Sequence, residues 1–312
     1  MRHLQRKLLH LAIVLFIVTF VTFALVNLLP GDVTLAILGT GATPEAVARV
    51  RVELGLNDPL LPRYVHWLGQ TVRGDFGRSY VSGEPVLDAL VRSVPVSVEL
   101  MALSLVLSIS LAVPAGLVAA YRQGRAVDRA LGVVSAALLA VPSFILGLAL
   151  MFLLALALGW FPAVGYVPLS EDILGNLRTF AIPAFTLALV EWPGFMLILR
   201  SDAIEVLQQD FVLMAKAKGL RDRHILLRHV LKLSSFTLLT AIGWTVANLI
   251  GGALVIENIF ALPGVGRLIV GAINSRDFML VQGAVTVVAV GFVLVNFGVD
   301  MLYAVLDPRV VR

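Results

Sequence analysis

Cysteine is absent from all 312 residues, which excludes disulfides, thiol nucleophiles and cysteine-ligated metals. Histidine is scarce. His3, His10, His66, His224 and His229 are the five, and only His10 touches a long apolar run, at its edge. No Gly-x-Ser-x-Gly or His-Glu-x-x-His motif occurs, so the common hydrolase arrangements are missing. Neither is there a Gly-x-x-x-x-Gly-Lys-Ser/Thr loop to cradle phosphates. Charge is the third shortage: 14% of residues are charged against 59% hydrophobic, with a mean hydropathy of +0.95. A soluble chain of this length needs far more charge to cover its surface, so lipid solvates most of this one.

What is present are long apolar runs. Six of them, roughly residues 8–29, 96–120, 130–158, 181–199, 236–256 and 279–306, approach or exceed the ~20 residues that a hydrocarbon core requires. The third and sixth are longer than the rest and are expected to tilt or extend beyond the bilayer. Basic residues set the orientation. Arg2, Arg6 and Lys7 precede the first run, and Arg122, Arg125 and Arg129 lie between the second and third. Arg200, Lys216, Lys218, Arg221, Arg223, Arg228 and Lys232 lie between the fourth and fifth, and Arg309 and Arg312 end the chain. The short opposite loops hold only Arg178, Arg267 and Arg276. Both termini are therefore expected in the cytoplasm. The net charge of +4 follows from this topology and needs no nucleic-acid partner. The first run is too long, and too poor in small residues at its end, for a cleaved signal peptide. The expected fold is an all-α integral membrane protein with six transmembrane helices. It divides into residues 1–29 (flank and first helix), 30–95 (an extracytoplasmic segment) and 96–312 (the core).

Segment 30–95 carries three helix signals. Thr43-Pro44-Glu45 supplies an N-cap, a proline at the first helical position and an early acid, followed by Val47, Val50 and Leu54 and then Gly55. Asp58-Pro59 opens a second helix, with Tyr64, Val65, Leu68 and Val72 before Gly74. A third follows Pro85 with Val86, Leu87, Leu90 and Val91, expected at the membrane surface. These stripes cannot form a large core of their own, so they rest on the bundle or meet a partner. Later, Pro263 and Gly264 break the fifth run and turn the chain into a short apolar helix ending near Ile273. Irregular backbone near membrane depth is tolerated only against protein or water.

Residues 202–232, DAIEVLQQDFVLMAKAKGLRDRHILLRHVLK, form the one long polar segment on the basic side. Ile204, Leu207, Phe211 and Met214 fall on one helical face. Acids at its start and lysines at its end suit the helix dipole. Gly219 fits a left-handed cap, and Asp222 can cap a second helix with Leu227, Val230 and Leu231 as its stripe. Such a pair either lies on the cytoplasmic leaflet or works as a rigid lever inserted into a cytoplasmic subunit.

FVLMAKAKG (211–219) resembles the coupling loop of ATP-binding-cassette importer permeases of the dipeptide and oligopeptide permease B type. LLPGD (28–32), ELGLNDPLLPRYVHWL (53–68), RGDFGRSY (73–80) and VPSFILGLAL (141–150) match as well, as do GGALVIENIFALPGVG (251–266), SRDFMLVQG (275–283) and VDMLYAVLDPR (299–309). Their order and spacing cover nearly the whole chain. Leu197, Met214 and Thr237 depart from the usual pattern, where an arginine, a small residue and a proline are common. The resemblance implies the type I importer permease fold and a place in the bacterial inner membrane. Implied partners are a second permease, two ATPase subunits that bind ATP and Mg, and an extracytoplasmic substrate-binding protein. On this reading Phe211, Met214, Ala215, Lys216, Ala217, Lys218, Gly219 and Leu220 form the ATPase contact. The chain is then not itself an enzyme and holds no cofactor. The expected cargo is di- or oligopeptide, with nickel, glutathione, opines or haem as alternatives in the same family.

Inside the runs, Glu191 precedes Trp192 and Pro193. A charge near a helix centre costs about 2.5–3.5 kcal/mol on insertion scales, so Glu191 either lines a path for cargo or bonds to a neighbouring helix. Asn248 and Glu257 are further pathway candidates, Asn248 being read also as a buried amide. Asn296 and Asp300 share a face of the sixth run. Gly243, Gly251, Gly252, Gly283, Gly291 and Gly298 offer close helix packing. An ion-coupled carrier using Glu191 and Asp300 is the rival class, but the repeated halves common in such carriers are not visible.

Overall fold

Helices account for most of the described backbone, because an apolar run that crosses lipid must satisfy its own peptide groups. The computed structural model describes residues 2–28, 34, 43–53 and 58–306. In chain order the helices are α1 (Arg2–Leu28), α2 (Pro44–Glu53), α3 (Leu60–Val72), α4 (Val86–Tyr121), α5 (Ala126–Ala140) and α6 (Ser143–Leu150). They continue with α7 (Ile173–Leu207), α8 (Asp210–Ala217), α9 (Asp222–His224), α10 (Leu231–Ile259), α11 (Val265–Asn274) and α12 (Phe278–Leu306). Two π-helical turns, Met151–Ala157 and Ile225–Val230, extend α6 and join α9 to α10. Among the described residues four helices are long and apolar enough to cross a membrane, or five if a bent pair counts as one crossing. The described apolar stretch of α1, Leu9–Leu25, is shorter.

The bent pair corrects one expectation. The third run is not a single tilted rod: between α5 and α6 the chain bends by 104°. Pro142 lacks an amide proton and Val141 is extended, at φ −93° and ψ 124°, the conformation that a following proline favours. The surface helix expected after Pro85 is also corrected. It is the first part of α4, which runs unbroken for 36 residues. Val86 and Leu90 are buried there, whereas Leu87 and Val91 are exposed.

The chain divides into two units, Met1–Ser97 with Pro263–Phe297, and Val98–Leu262 with Gly298–Arg312. In the first, α3 rests on α1. Tyr64 is fully buried between Phe16, Phe20 and Phe23, with ring centroids 5.1–5.6 Å away. Its hydroxyl lies 2.8 Å from that of Thr19. Trp67, not Val65 or Val72, completes this cluster; those valines are 61% and 79% exposed. The helix faces α1 with its aromatics because they bury more area. Thr43 caps α2 as expected, accepting from the Ala46 amide at 3.3 Å, while Leu54 and Gly55 lie outside the described residues. Asp277 ties down the turn that follows α3: its carboxylate accepts from the Ser79 hydroxyl and from the Tyr80 amide at 3.2 Å. Burial raises the pKa of the Tyr80 phenol. Gly283 lets α12 approach α4, since a Cβ there would lie 2.6 Å from Val86 Cγ1.

The core of the second unit is built on α7, whose Phe195, Met196 and Leu199 are buried among residues of α4, α10 and the polar loop. Gly116 and Gly147 create close approaches here. A Cβ on Gly116 would meet the Met196 carbonyl at 3.1 Å, and one on Gly147 would meet Thr186 at 3.3 Å. Of the glycines expected to pack helices, Gly243 and Gly283 do so, whereas Gly251, Gly252, Gly291 and Gly298 have open space beside them.

Candidate functional site

The polar loop between α7 and α10 is built from two short helices projecting from two long ones. α7 ends at Leu207, and Gln208 and Gln209 break the helix before α8 begins. That break shifts the register. The continuous face of Ile204, Leu207, Phe211 and Met214 does not form. Instead Ala203, Val206, Val212 and Ala215 point inward and are buried. Phe211 and Met214 are 36% and 59% exposed, and Leu213 and Leu220 stand out with them.

α8 ends as its composition dictates. Gly219 takes φ +76°, the left-handed conformation that glycine adopts without strain, and its amide donates to the Lys216 carbonyl at 2.9 Å. Asp222 does not cap the next helix. It is the first helical residue, with Arg221 at the N-cap, and its carboxylate accepts from the Tyr121 hydroxyl at 2.5 Å. In the following π-helical turn Val230 is buried as expected and Leu231, just after it, packs partly against the core, but Leu227 is exposed and Ile225 is buried instead. A π turn shifts each side chain relative to an α repeat. The Phe211 and His229 rings lie 6.5 Å apart and draw α8 against this turn. The result is an elbow with exposed apolar side chains flanked by exposed Lys216 and Lys218.

A second feature beside the elbow leaves no mark in the sequence. Arg200, near the end of α7, forms a two-pronged ion pair with Asp128 at the start of α5, at 2.6 and 2.8 Å. Asp128 is only 7% exposed, and its carboxylate also accepts from the Gly124 amide at 2.8 Å. Asp128 and Arg200 are 72 residues apart in the chain, and no local pattern links them.

Within the helices, Glu191 is half-buried and lies beside Thr245 of α10. Glu257 is buried, and its carbonyl accepts from the Leu262 amide at 2.9 Å where α10 ends. Asn248 is exposed on this chain rather than buried. The three pathway candidates therefore do not share one environment. The Asn296 amide donates to the Phe292 carbonyl of its own helix at 2.9 Å, and the side chain of Asp300 lies outside the described ones.

Residues 112–312 match the family model described as binding-protein-dependent transport system inner membrane component, and residues 1–101 match the model of its N-terminal region. The chain belongs to this family. A peptide transport system permease of Brucella suis biovar 1 is 42% identical over 299 residues, covering 95% of each chain. The oligopeptide transport system permease protein AppB of Bacillus subtilis is 33% identical over 98% of each chain. The glutathione transport system permease protein GsiC of Shigella boydii is 32% identical over 99% of each. Among solved structures, a chain of the MetNI methionine ABC transporter aligns with a TM-score of 0.56 and 14% identity, covering 70% of this chain and 96% of that one. That likeness supports the type I importer permease fold. Among the described residues the named elements are all helical, and the elbow of residues 202–232 falls within the matched stretch 112–312.

Proposed function

We propose that this permease forms half of a peptide-conducting pathway and is driven through the elbow by an ATPase subunit. The observation carrying the reading is α8. Val212 and Ala215 anchor it from beneath, while Phe211, Leu213, Met214 and Leu220 stay exposed in a segment whose basic residues assign it to the cytoplasm. Exposed apolar side chains on a rigid, charged mount are what a protein partner buries. Phe211, Met214, Lys216, Ala217, Lys218, Gly219 and Leu220 would meet the ATPase, with Ala215 fixing the mount. ATP and Mg would be bound by the ATPase subunits, leaving this chain without catalysis of its own. A second permease and an extracytoplasmic binding protein complete the assembly.

Peptide is the favoured cargo because relatives across the full length carry peptide names. Glutathione is itself a small peptide, so the Shigella boydii relative falls within the same chemistry. Glu191, Asn248 and Glu257 are proposed along the conducting side. The test is purification of the intact assembly from its native membrane, with its subunits and ligand identified by mass spectrometry. A nucleotide-hydrolysing subunit cross-linked to residues 211–220 is the expected result. An assembly without such a subunit, or one in which the elbow reacts only with reagents outside the cell, overturns the proposal.

A further inference from the structure

We infer that the short loop spanning Tyr121 to Asp128 is a second transmission element, which makes the α4–α5 connection move with the elbow. The inference rests on the elbow being the driven part. The loop is fastened at both ends to the two legs of that elbow. At one end Tyr121, the last residue of α4, donates to Asp222 at 2.5 Å, just after the Gly219 turn. At the other end Asp128, two residues into α5, grips Arg200 with both oxygens at 2.6 and 2.8 Å, seven residues before α7 ends at Leu207.

Between the two ties the loop is stiff. Gly124 turns it at φ +75°, its amide donates to the Asp128 carboxylate at 2.8 Å, and the Arg125 amide donates to the Arg122 carbonyl at 3.0 Å. Asp128 therefore accepts from both the Arg200 guanidinium and the Gly124 amide while being almost fully buried, with only 7% of its surface exposed. A nearly buried carboxylate so engaged cannot slide past its arginine without leaving a charge unpaired, which is costly. A force displacing the elbow thus reaches α4 and α5 as well as its own flanking helices α7 and α10. Tyr121, Asp128 and Arg200 are positioning residues: none needs to touch cargo or nucleotide.

The experiment uses the complete importer in lipid vesicles, with its ATPase and binding-protein subunits, and compares Tyr121→Phe, Asp128→Asn and Asp128→Asn with Arg200→Gln. Two quantities are read: the ATPase subunits retained per permease, and peptide transported per ATP hydrolysed. Expected are normal retention and a fall of about fivefold or more in transport per ATP for either single variant, the range of a typical coupling between sites. The neutral double variant can rebuild a hydrogen bond between two amides and is expected to recover part of the loss. A merely structural role predicts that retention and total transport fall together while transport per ATP stays constant; that result overturns the inference. If the wild-type permease retains no ATPase, the elbow proposal itself falls, and this loop proposal with it. If the wild type is driven normally and all three variants keep its transport per ATP, only the loop proposal falls.

Discussion

Replacing Gly283 with alanine sets two known effects against each other at one carbon atom. Gly283 lies in α12, and alanine is favoured over glycine in a helix by about 0.8–1.0 kcal/mol. The new Cβ, however, would lie 2.6 Å from Val86 Cγ1 and 3.6 Å from Phe76 Cδ1, inside the van der Waals limit for the first. Val86 is fully buried and β-branched, so it has little rotamer freedom with which to yield. Overpacking of this kind costs about 1–3 kcal/mol, more than the helix preference returns. A net loss of about 1 kcal/mol is expected, read as a fall of about 2–4 °C in thermal unfolding in detergent, using the scaling for larger domains. Gly291→Ala is the matched control, because nothing lies within 4 Å of the point where its Cβ would stand, and it should leave the midpoint unchanged or raise it. Combining Gly283→Ala with Val86→Ala should remove the clash and show non-additivity. Equal midpoints for Gly283→Ala and Gly291→Ala would refute the close-approach argument.

Tyr64→Phe should cost about 0.5–1.5 kcal/mol, no more, because the Thr19 hydroxyl keeps its bond to the Leu15 carbonyl at 2.7 Å; a loss above about 3 kcal/mol in detergent unfolding contradicts that accounting. Gly219→Val places a β-branched residue at φ +76°, a strain of about 1–3 kcal/mol, so peptide-stimulated ATPase activity should fall while membrane insertion persists; normal stimulation contradicts the elbow's role. Glu191→Gln keeps a polar side chain beside Thr245 but removes the charge, so uptake of peptides should drop with assembly intact. Unchanged uptake would assign Glu191 to helix bonding alone.

Two caps are legible in the sequence because each is a local event: Thr43 before Pro44, and Gly219 after two lysines, act through residues three positions away, whereas the cap expected of Asp222 does not form. The inward faces are not legible wherever the helical repeat is interrupted without glycine or proline. Gln208 and Gln209 break the helix and turn Phe211 and Met214 outward, and the π turn after His224 does the same to Leu227. At Pro142 the signal is visible, but an apolar run reads alike whether straight or bent. Asp128 and Arg200 each look like loop or flank charges until the fold brings them together. Gly243 and Gly283 differ from Gly251 and Gly291 only in what lies opposite, which one helix's own sequence does not contain.

The break at Val141 and Pro142 has a consequence for where other molecules stand. Helical rise gives arms of about 22 Å each for α5 and for α6 with its π extension. Bent by 104°, they still span ~27 Å end to end, close to a hydrocarbon core of ~30 Å, so the pair suffices for one crossing. As a single crossing the pair would carry its corner near the midplane, with Val141 and Pro142 exposed on this chain. Helix ends there leave carbonyls and amides without intrahelical partners, and acyl chains cannot solvate them. The outer side of such a corner then calls for protein or water against it in place of acyl chains.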